Sequence, residues 1–300
     1  MTPLVFAMPG NEALAAALAA ELGAEQGVLD HRRFPDGESY LRFRTPVAGC
    51  SVVLACSLHE PDGKALPLLL AASALKDLGA TRIGLAAPYL AYMRQDKRFE
   101  EGEAVTSIAF AQLLSRAFDW IATIDPHLHR YASMSEIYSV PVAVGHAAPL
   151  LADYLRQRQG SVFLVGPDEE SEQWVAAVGA SAGVPHVTMR KTRRGDRDVA
   201  IAFSGIEGFA GLKPVLVDDM ISSGRTMEVA ARQLVAGGFA PPVCLAVHGI
   251  LAEDAQARLQ AAGAEVVTTN TIPGPTARLD VTRLLASLVG PCLQAAPAES

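Results

Sequence analysis

Short apolar runs alternate along this chain with longer stretches whose apolar residues recur at helical spacing. The runs 51–56, 82–87, 120–124, 161–165, 214–217 and 242–247 are nearly continuous in Val, Leu, Ile and Ala, the pattern of strands buried on both faces. Between them, residues 11–22, 64–78, 104–117, 170–182, 226–236 and 253–262 read as helices. Strand and helix in alternation predict an α/β architecture with mainly parallel sheets. The Ala-, Pro- and Gln-rich tail after Pro291 reads as frayed.

The order of elements repeats. Residues 51–90 run strand, loop, helix, Leu-Gly-Ala turn, strand, Pro-Tyr-Leu. Residues 214–251 run strand, loop, helix, Gly-Gly-Phe turn, strand, His-Gly-Ile-Leu. This echo predicts a duplicated domain, 1–145 and 146–300. The second copy carries Asp218 and Asp219 roughly where the first has Ala55 and Cys56.

Composition narrows the function classes. A chain of 300 residues that is 50% hydrophobic and 19% charged is too apolar for disorder. Aromatic residues are only 6%, so the core is built from Ala, Val, Leu and Ile, and Trp174 reads as part of it. A net charge of −7 argues against a nucleic-acid binder, which would carry a basic stripe. Cys50, Cys56, Cys244 and Cys292 lack metal spacing and read as buried, reduced thiols. The longest apolar run, 65–75, is too short to span a bilayer, and no leader pattern opens the chain; a cytoplasmic protein without membrane contact is expected.

The sharpest chemical feature is the segment 214–226, PVLVDDMISSGRT. A buried strand ends in Asp218 and Asp219, and a Ser/Gly loop then opens a helix. Ligands of open α/β sheets bind at the carboxyl ends of strands. Such a loop offers backbone N–H groups and the positive end of a helix dipole to a phosphate, while the aspartates suit ribose hydroxyls or hydrated Mg²⁺. A simple helix cap needs one Asp or Ser, and two adjacent carboxylates exceed that need.

This segment resembles the phosphoribosyl-diphosphate (PRPP) loop of type I phosphoribosyltransferases and of the PRPP synthetases, or ribose-phosphate diphosphokinases. The rest of the chain favours the synthetases. Phe34-Pro35-Asp36-Gly37-Glu38 resembles their F-x-D-G-E element and Arg94-Gln95-Asp96 their R-Q-D element. Asp125-Pro126-His127 stands where they place a metal-binding histidine, and Gly166-Pro167-Asp168 matches their strand-P-D corner. Lys191-Thr192-Arg193 matches the start of their mobile catalytic loop, and Thr269-Asn270-Thr271-Ile272-Pro273 a late segment. These occur in family order over nearly the whole chain. The stretch FEEGEAVTS (99–107) is nearer to the archaeal-type members. Ser222 stands where many members have an acid, and Arg225 where many have glycine.

The resemblance implies two tandem type I phosphoribosyltransferase-like domains and a Mg²⁺-dependent transfer of the ATP diphosphoryl group to ribose 5-phosphate, giving PRPP and AMP. It assigns Phe34, Asp36, Gly37, Glu38, Arg94 and Gln95 to ATP, the first four reaching the adenine of a neighbouring subunit in a homo-oligomer built from dimers. It assigns Asp218, Asp219, Ser222, Ser223, Gly224, Arg225, Thr226 and Arg193 to ribose 5-phosphate, His127 and Asp168 to the metal, and Lys191 and Arg193 to catalysis. His129 carries no family role and reads as a surface histidine. Each element taken alone has a plainer alternative: a turn for 34–38, a solvated charge run for 94–103, a solvated hairpin for the basic cluster Lys191, Arg193, Arg194 and Arg197. Two other functions stay open, a non-catalytic regulatory homologue of a synthetase and a phosphoribosyltransferase that consumes PRPP. Lys191, His127, Asp168 and the acidic pair favour the enzyme.

Overall fold

The computed structural model describes residues 2–158, 160–194, 198–202 and 206–295, with backbone alone for 190–194, 198–202 and 207. The chain forms two compact units, 1–145 with 281–300 and 146–280.

The first unit contains β1 (Leu4–Ala7), α1 (Glu12–Leu22), β2 (Glu25–Gln26), β3 (Leu29–Arg33), β4 (Ser39–Phe43), β5 (Ser51–Ala55), α2 (Asp62–Asp77), β6 (Arg82–Ala86), α3 (Thr106–Ala117), β7 (Trp120–Ile124) and β8 (Val142–Gly145). Six strands form a wholly parallel sheet in the order β2-β1-β5-β6-β7-β8, and β3 and β4 form a separate antiparallel hairpin. Helices cover such a sheet on both faces, so β5, β6 and β7 are apolar at nearly every position rather than at alternate ones. In α2 the buried Leu68, Ala71, Ala72 and Leu75 follow the i, i+3, i+4, i+7 stripe that seats a helix on a sheet. Trp120, 1% exposed, fits because its neighbour in β6 is Gly84: a β-carbon there would stand 1.9 Å from the indole.

The second unit contains α4 (Ala148–Gln157), β9 (Val162–Gly166), α5 (Glu172–Ala182), β10 (His186–Thr188), β11 (Arg190–Arg194), β12 (Asp198–Ala202), β13 (Lys213–Ile221), α6 (Arg225–Ala236), β14 (Val243–Gly249), α7 (Ala255–Ala261), β15 (Glu265–Thr269) and β16 (Ala277–Leu279). Its parallel sheet runs β10-β9-β13-β14-β15-β16, and β11 and β12 form an antiparallel hairpin. Strand for strand this repeats the first unit, hairpin included, so the echo seen between 51–90 and 214–251 extends over both units.

Four expectations need correction. The closing helix α8 (Thr282–Gln294) packs on the first unit, not the second. Leu284 and Leu288 lie against Gly145, and Arg283 faces Glu21 of α1 at 3.4 Å. Chain connectivity cannot reveal this, because the helix goes where an apolar sheet face lacks cover. The helix also continues through Pro291 to Gln294. Trp174 is only half-buried. Cys56 and Cys244 are buried, and burial pushes both thiols up to about 12, whereas Cys50 and Cys292 are partly exposed. Among the described residues no helix is long and apolar enough to cross a membrane.

Candidate active site

In the second unit, Val215, Leu216 and Val217 of β13 are fully buried between β9 and β14. The strand continues to Ile221, so Asp218 and Asp219 lie within its last turn of pleat and not beyond it. Asp219 is 2% exposed, and its N–H donates to Asp218 Oδ1 at 2.9 Å. Burial pushes the Asp218 carboxyl well above the usual range, and the charges of Asp219 and Asp168 push it further. Asp168 follows the neighbouring β9. Its Oδ1 accepts from Ser171 N–H at 3.1 Å, and its carbonyl accepts from Ser171 Oγ at 2.6 Å. Asp168, Asp218 and Asp219 thus lie within reach of one another's charge at the carboxyl ends of two adjacent strands.

The loop from Ser222 to Gly224 is tied back on one side. The carbonyl of Ile221 accepts from Leu251 N–H at 2.9 Å, that of Ser222 from Ala252 N–H at 3.1 Å, and that of Ser223 from the Arg258 guanidinium. In a trans peptide the N–H points opposite to the C=O. The N–H groups of Ser222, Ser223 and Gly224 therefore face away from the partners at Leu251, Ala252 and Arg258, as in an anion-binding nest. Gly224 takes φ +68° and opens α6, whose N-terminus has no side-chain cap among the described residues. Ser222 and Ser223 are half-buried, while Arg225 and Thr226 are exposed. Arg258 is held in turn by Glu228, at 3.0 Å from its Nε, and Glu228 also takes Arg232 at 3.0 Å. Arg232 first, and then Arg258, holds the Glu228 carboxyl below its ordinary value. Arg258 was not legible as a site residue: it is a lone cation on a short helix, with no motif around it. The segment 269–273 is tied to the end of β14, where Thr269 and Thr271 donate to the Val247 carbonyl at 2.8 and 3.1 Å and His248 Nδ1 meets Thr271 Oγ1 at 2.9 Å.

In the first unit, residues 34–38 form the exposed tip of the β3–β4 hairpin. Gly37 N–H donates to the Phe34 carbonyl at 2.9 Å, and Glu38 N–H to Asp36 Oδ1 at 3.2 Å. Phe34 is 38% exposed, with the Arg32 guanidinium 4.5 Å from its ring centre. Arg94 is exposed and Gln95 half-buried in the connection after β6. Asp96 is 8% exposed, and both its oxygens accept from Arg130 Nη1, at 2.8 and 3.0 Å. Tyr131 donates to the Asp96 carbonyl at 3.1 Å. This clamp joins the 94–96 segment to the loop after β7 that carries His127. His129 is not a free surface residue: its ring packs edge-on against His127 with centroids 4.1 Å apart. Asp125, in the same loop, has φ +38°, a conformation a non-glycine residue holds only where its surroundings impose it.

Lys191 and Arg193 lie on β11 opposite Ile201 and Val199. Their side chains, and Arg197 altogether, are outside the described residues.

Arg130 is expected to matter for stability. Arg130→Met leaves the Asp96 carboxylate buried without its guanidinium, a loss of about 1–3 kcal/mol. Urea denaturation of the variant against wild type measures it, and an unchanged midpoint would show that the clamp contributes nothing.

The acidic strand end and the loop after it suit a phosphorylated sugar, and comparison with known proteins agrees. The N-terminal domain of ribose phosphate pyrophosphokinase matches residues 4–117, and the phosphoribosyl transferase domain matches residues 133–269. The ribose-phosphate pyrophosphokinase of Methanopyrus kandleri is 33% identical over 289 residues, 95% of this chain and 98% of that one. That of Methanothermobacter thermautotrophicus is 32% identical over 288 residues, 95% of this chain and 99% of that one. The crystal structure of phosphoribosylpyrophosphate synthetase from Mycobacterium smegmatis superimposes with a TM-score of 0.83 at 30% identity, covering 96% of this chain and 97% of that one. Full-length likeness at this level, on a duplicated fold with these motifs in order, leaves one conclusion: the chain belongs to the ribose-phosphate pyrophosphokinase family.

Proposed function

We propose that the chain makes PRPP and AMP from ATP and ribose 5-phosphate, with its sugar-phosphate site at the carboxyl end of β13. The observation that carries this is the nest at 222–224, with three carbonyls tied back ahead of an uncapped helix and beside a buried acidic pair. The nest and the first turn of α6 take the 5-phosphate, with Ser222, Ser223, Gly224, Arg225 and Thr226 around it. Asp218 and Asp219 accept from the ribose hydroxyls, which orients the sugar so that O1 is presented as the nucleophile. O1 attacks the β-phosphorus of ATP, the bond from that phosphorus to the bridging α–β oxygen breaks, and AMP leaves. Lys191 and Arg193 stabilise charge on the transferring group. Arg94 and Gln95 hold ATP. The hairpin tip carrying Phe34, Asp36, Gly37 and Glu38 reaches the adenine of a neighbouring subunit in a homo-oligomer, a role supported by its exposure.

Asp168, beside Asp218 and Asp219, would hold Mg²⁺ in the second unit, and His127 is the metal ligand proposed for the first. Among the described residues no three His, Cys, Asp or Glu side chains converge on one point. Mg²⁺ commonly keeps water and substrate phosphates as most of its ligands. When bound it neutralises charge on the ATP phosphates; the mutual repulsion of Asp168, Asp218 and Asp219 is the sign that a cation is favoured nearby.

Incubation with ATP, Mg²⁺ and ribose 5-phosphate is expected to release AMP and PRPP in equal amounts. No AMP would favour the regulatory homologue, and PRPP consumption with a free base would favour the phosphoribosyltransferase. Arg225→Gly is expected to weaken ribose 5-phosphate binding about ten- to hundredfold, the worth of one charge-assisted hydrogen bond, while ATP affinity stays constant. Titration of both ligands into both proteins checks it, and equal sugar-phosphate affinities would leave the nest working through its backbone alone.

A further inference from the structure

The connection after β5 is the first unit's counterpart of the nest after β13, and it gathers bases where the second unit gathers acids. Ser57 and Asn11 are buried at 1% and 3% exposure, and the Ser57 N–H donates to Asn11 Oδ1 at 2.7 Å, which fixes the loop. Lys64 Nζ lies 3.1 Å from both ring nitrogens of His59 and donates to the Ser57 carbonyl at 3.1 Å. Ser57 Oγ lies 3.2 Å from His59 Nδ1. From the β3 side, Arg33 reaches over the start of α2, where its Nη2 would stand 3.9 Å from a β-carbon on Gly63. Among the described residues none of Arg33, His59 and Lys64 is ion-paired with a carboxylate. The acids nearby are Glu60, exposed and acting on His59 and Lys64 only through space, and Asp62, which accepts from the Tyr92 hydroxyl.

This arrangement is costly as it stands. Burial first, and then the Lys64 charge, pushes the His59 imidazole down, and burial pushes Lys64 down. Lys64 also sits in the first turn of α2, the end of a helix that disfavours a cation. A bound anion would relieve all three effects. A carboxylate offers two oxygens, whereas a phosphate offers enough for an ammonium, an imidazolium, a guanidinium and a serine hydroxyl.

We propose that Arg33, His59, Lys64 and Ser57 form a second anion site, in the first unit, for a phosphate dianion, distinct from the sugar-phosphate nest. Arg33 directly precedes Phe34, so an anion held there fixes the root of the hairpin whose tip is assigned to ATP.

The test is titration of orthophosphate into the full chain with ribose 5-phosphate saturating, so that the nest is already filled. Wild type is expected to bind a further equivalent of orthophosphate. Lys64→Met is expected to weaken that binding at least about tenfold. Lys64→Arg is expected to retain it, and kcat without phosphate is expected to stay at the wild-type level in both. Arg33→Ala, at an exposed position, gives the same reading should Lys64→Met fail to fold. Competition by GMP would assign the dianion to a nucleotide's phosphate, and its absence to free phosphate; either supports the site. No further equivalent on wild type, or undiminished binding in Lys64→Met and Arg33→Ala, overturns it. Ribose 5-phosphate titrated alone reports the nest separately, so the two readings fail independently.

Discussion

Lys191→Ala is expected to lower kcat about a thousandfold while leaving ribose 5-phosphate affinity within a few-fold of wild type. As O1 closes on the β-phosphorus, negative charge accumulates on the bridging oxygen that leaves with AMP. A cation that meets this charge in the transition state, and little of it beforehand, raises kcat and not ground-state binding. Position 191 lies on β11 of a hairpin that, among the described residues, pairs with no other strand of its unit. Position 193 is two residues on, the spacing that shares one face of a strand. The sugar-phosphate site proposed above is elsewhere, at β13 and the start of α6, so on that reading binding does not depend on Lys191. A thousandfold corresponds to about 4 kcal/mol of transition-state stabilisation. Steady-state kinetics in both substrates, with ribose 5-phosphate affinity measured by titration, separates the cases. A kcat within a few-fold of wild type would remove Lys191 from the chemistry, and an equal loss of affinity would make it a binding residue.

The central strands of both sheets were legible because a parallel strand covered on both faces is a bare apolar run. Expected and observed bounds of β5, β6, β7 and β9 differ by a residue at most at either end. The run signal stops at the first charged residue, so β13 was read only to Val217, although it carries Asp218 and Asp219 inside its pairing with β14. The hairpins were hidden for the same reason: Leu-Asp-His-Arg-Arg and Arg-Lys-Thr-Arg-Arg are strands with little apolar content. The edge strands β2, β10 and β16 are two or three residues long and leave no pattern. At the site, adjacent residues such as Asp218 and Asp219 announce themselves. Arg130 and Arg258 do not, because each reaches a loop 34 or 35 residues earlier in sequence, and only the parallel order of the strands makes the loops neighbours. His59 carries no motif in the sequence, and Lys64 reads only as the first residue of a helix. Their meaning comes from the repeat, which places them where the other unit has its nest.

Gly224→Val is expected to weaken ribose 5-phosphate binding about a hundredfold or more, with ATP affinity little changed. Gly224 holds φ +68°, where an L-residue costs about 1–2 kcal/mol and a β-branched one more. Space is short as well: a β-carbon would lie 3.3 Å from Ala255 Cβ, 3.4 Å from Leu259 Cδ1 and 3.6 Å from Ile221 Cγ2. The two methyls of valine cannot be taken up by α7, whose Ala255 and Leu259 are fully buried. The cheapest relief is for the backbone to leave the left-handed region, which rotates the peptides on either side. Those peptides carry the Ser223 carbonyl held by Arg258 and the N–H groups proposed to take the phosphate, so the nest would be lost with the turn. Two N–H contacts to a dianion, each worth about 1.5–3 kcal/mol, give the hundredfold or larger loss. Gly224→Ala keeps the φ penalty and adds a single carbon at 3.3 Å, so its loss is expected to fall between wild type and valine. Arg258→Ala removes one tie on the loop without crowding it, and is expected to raise the KM for ribose 5-phosphate with little change in stability. Calorimetric titration of both ligands into the three variants, beside their thermal melts, decides the matter. A valine variant that folds and binds ribose 5-phosphate like wild type would show that the phosphate is held somewhere other than this nest.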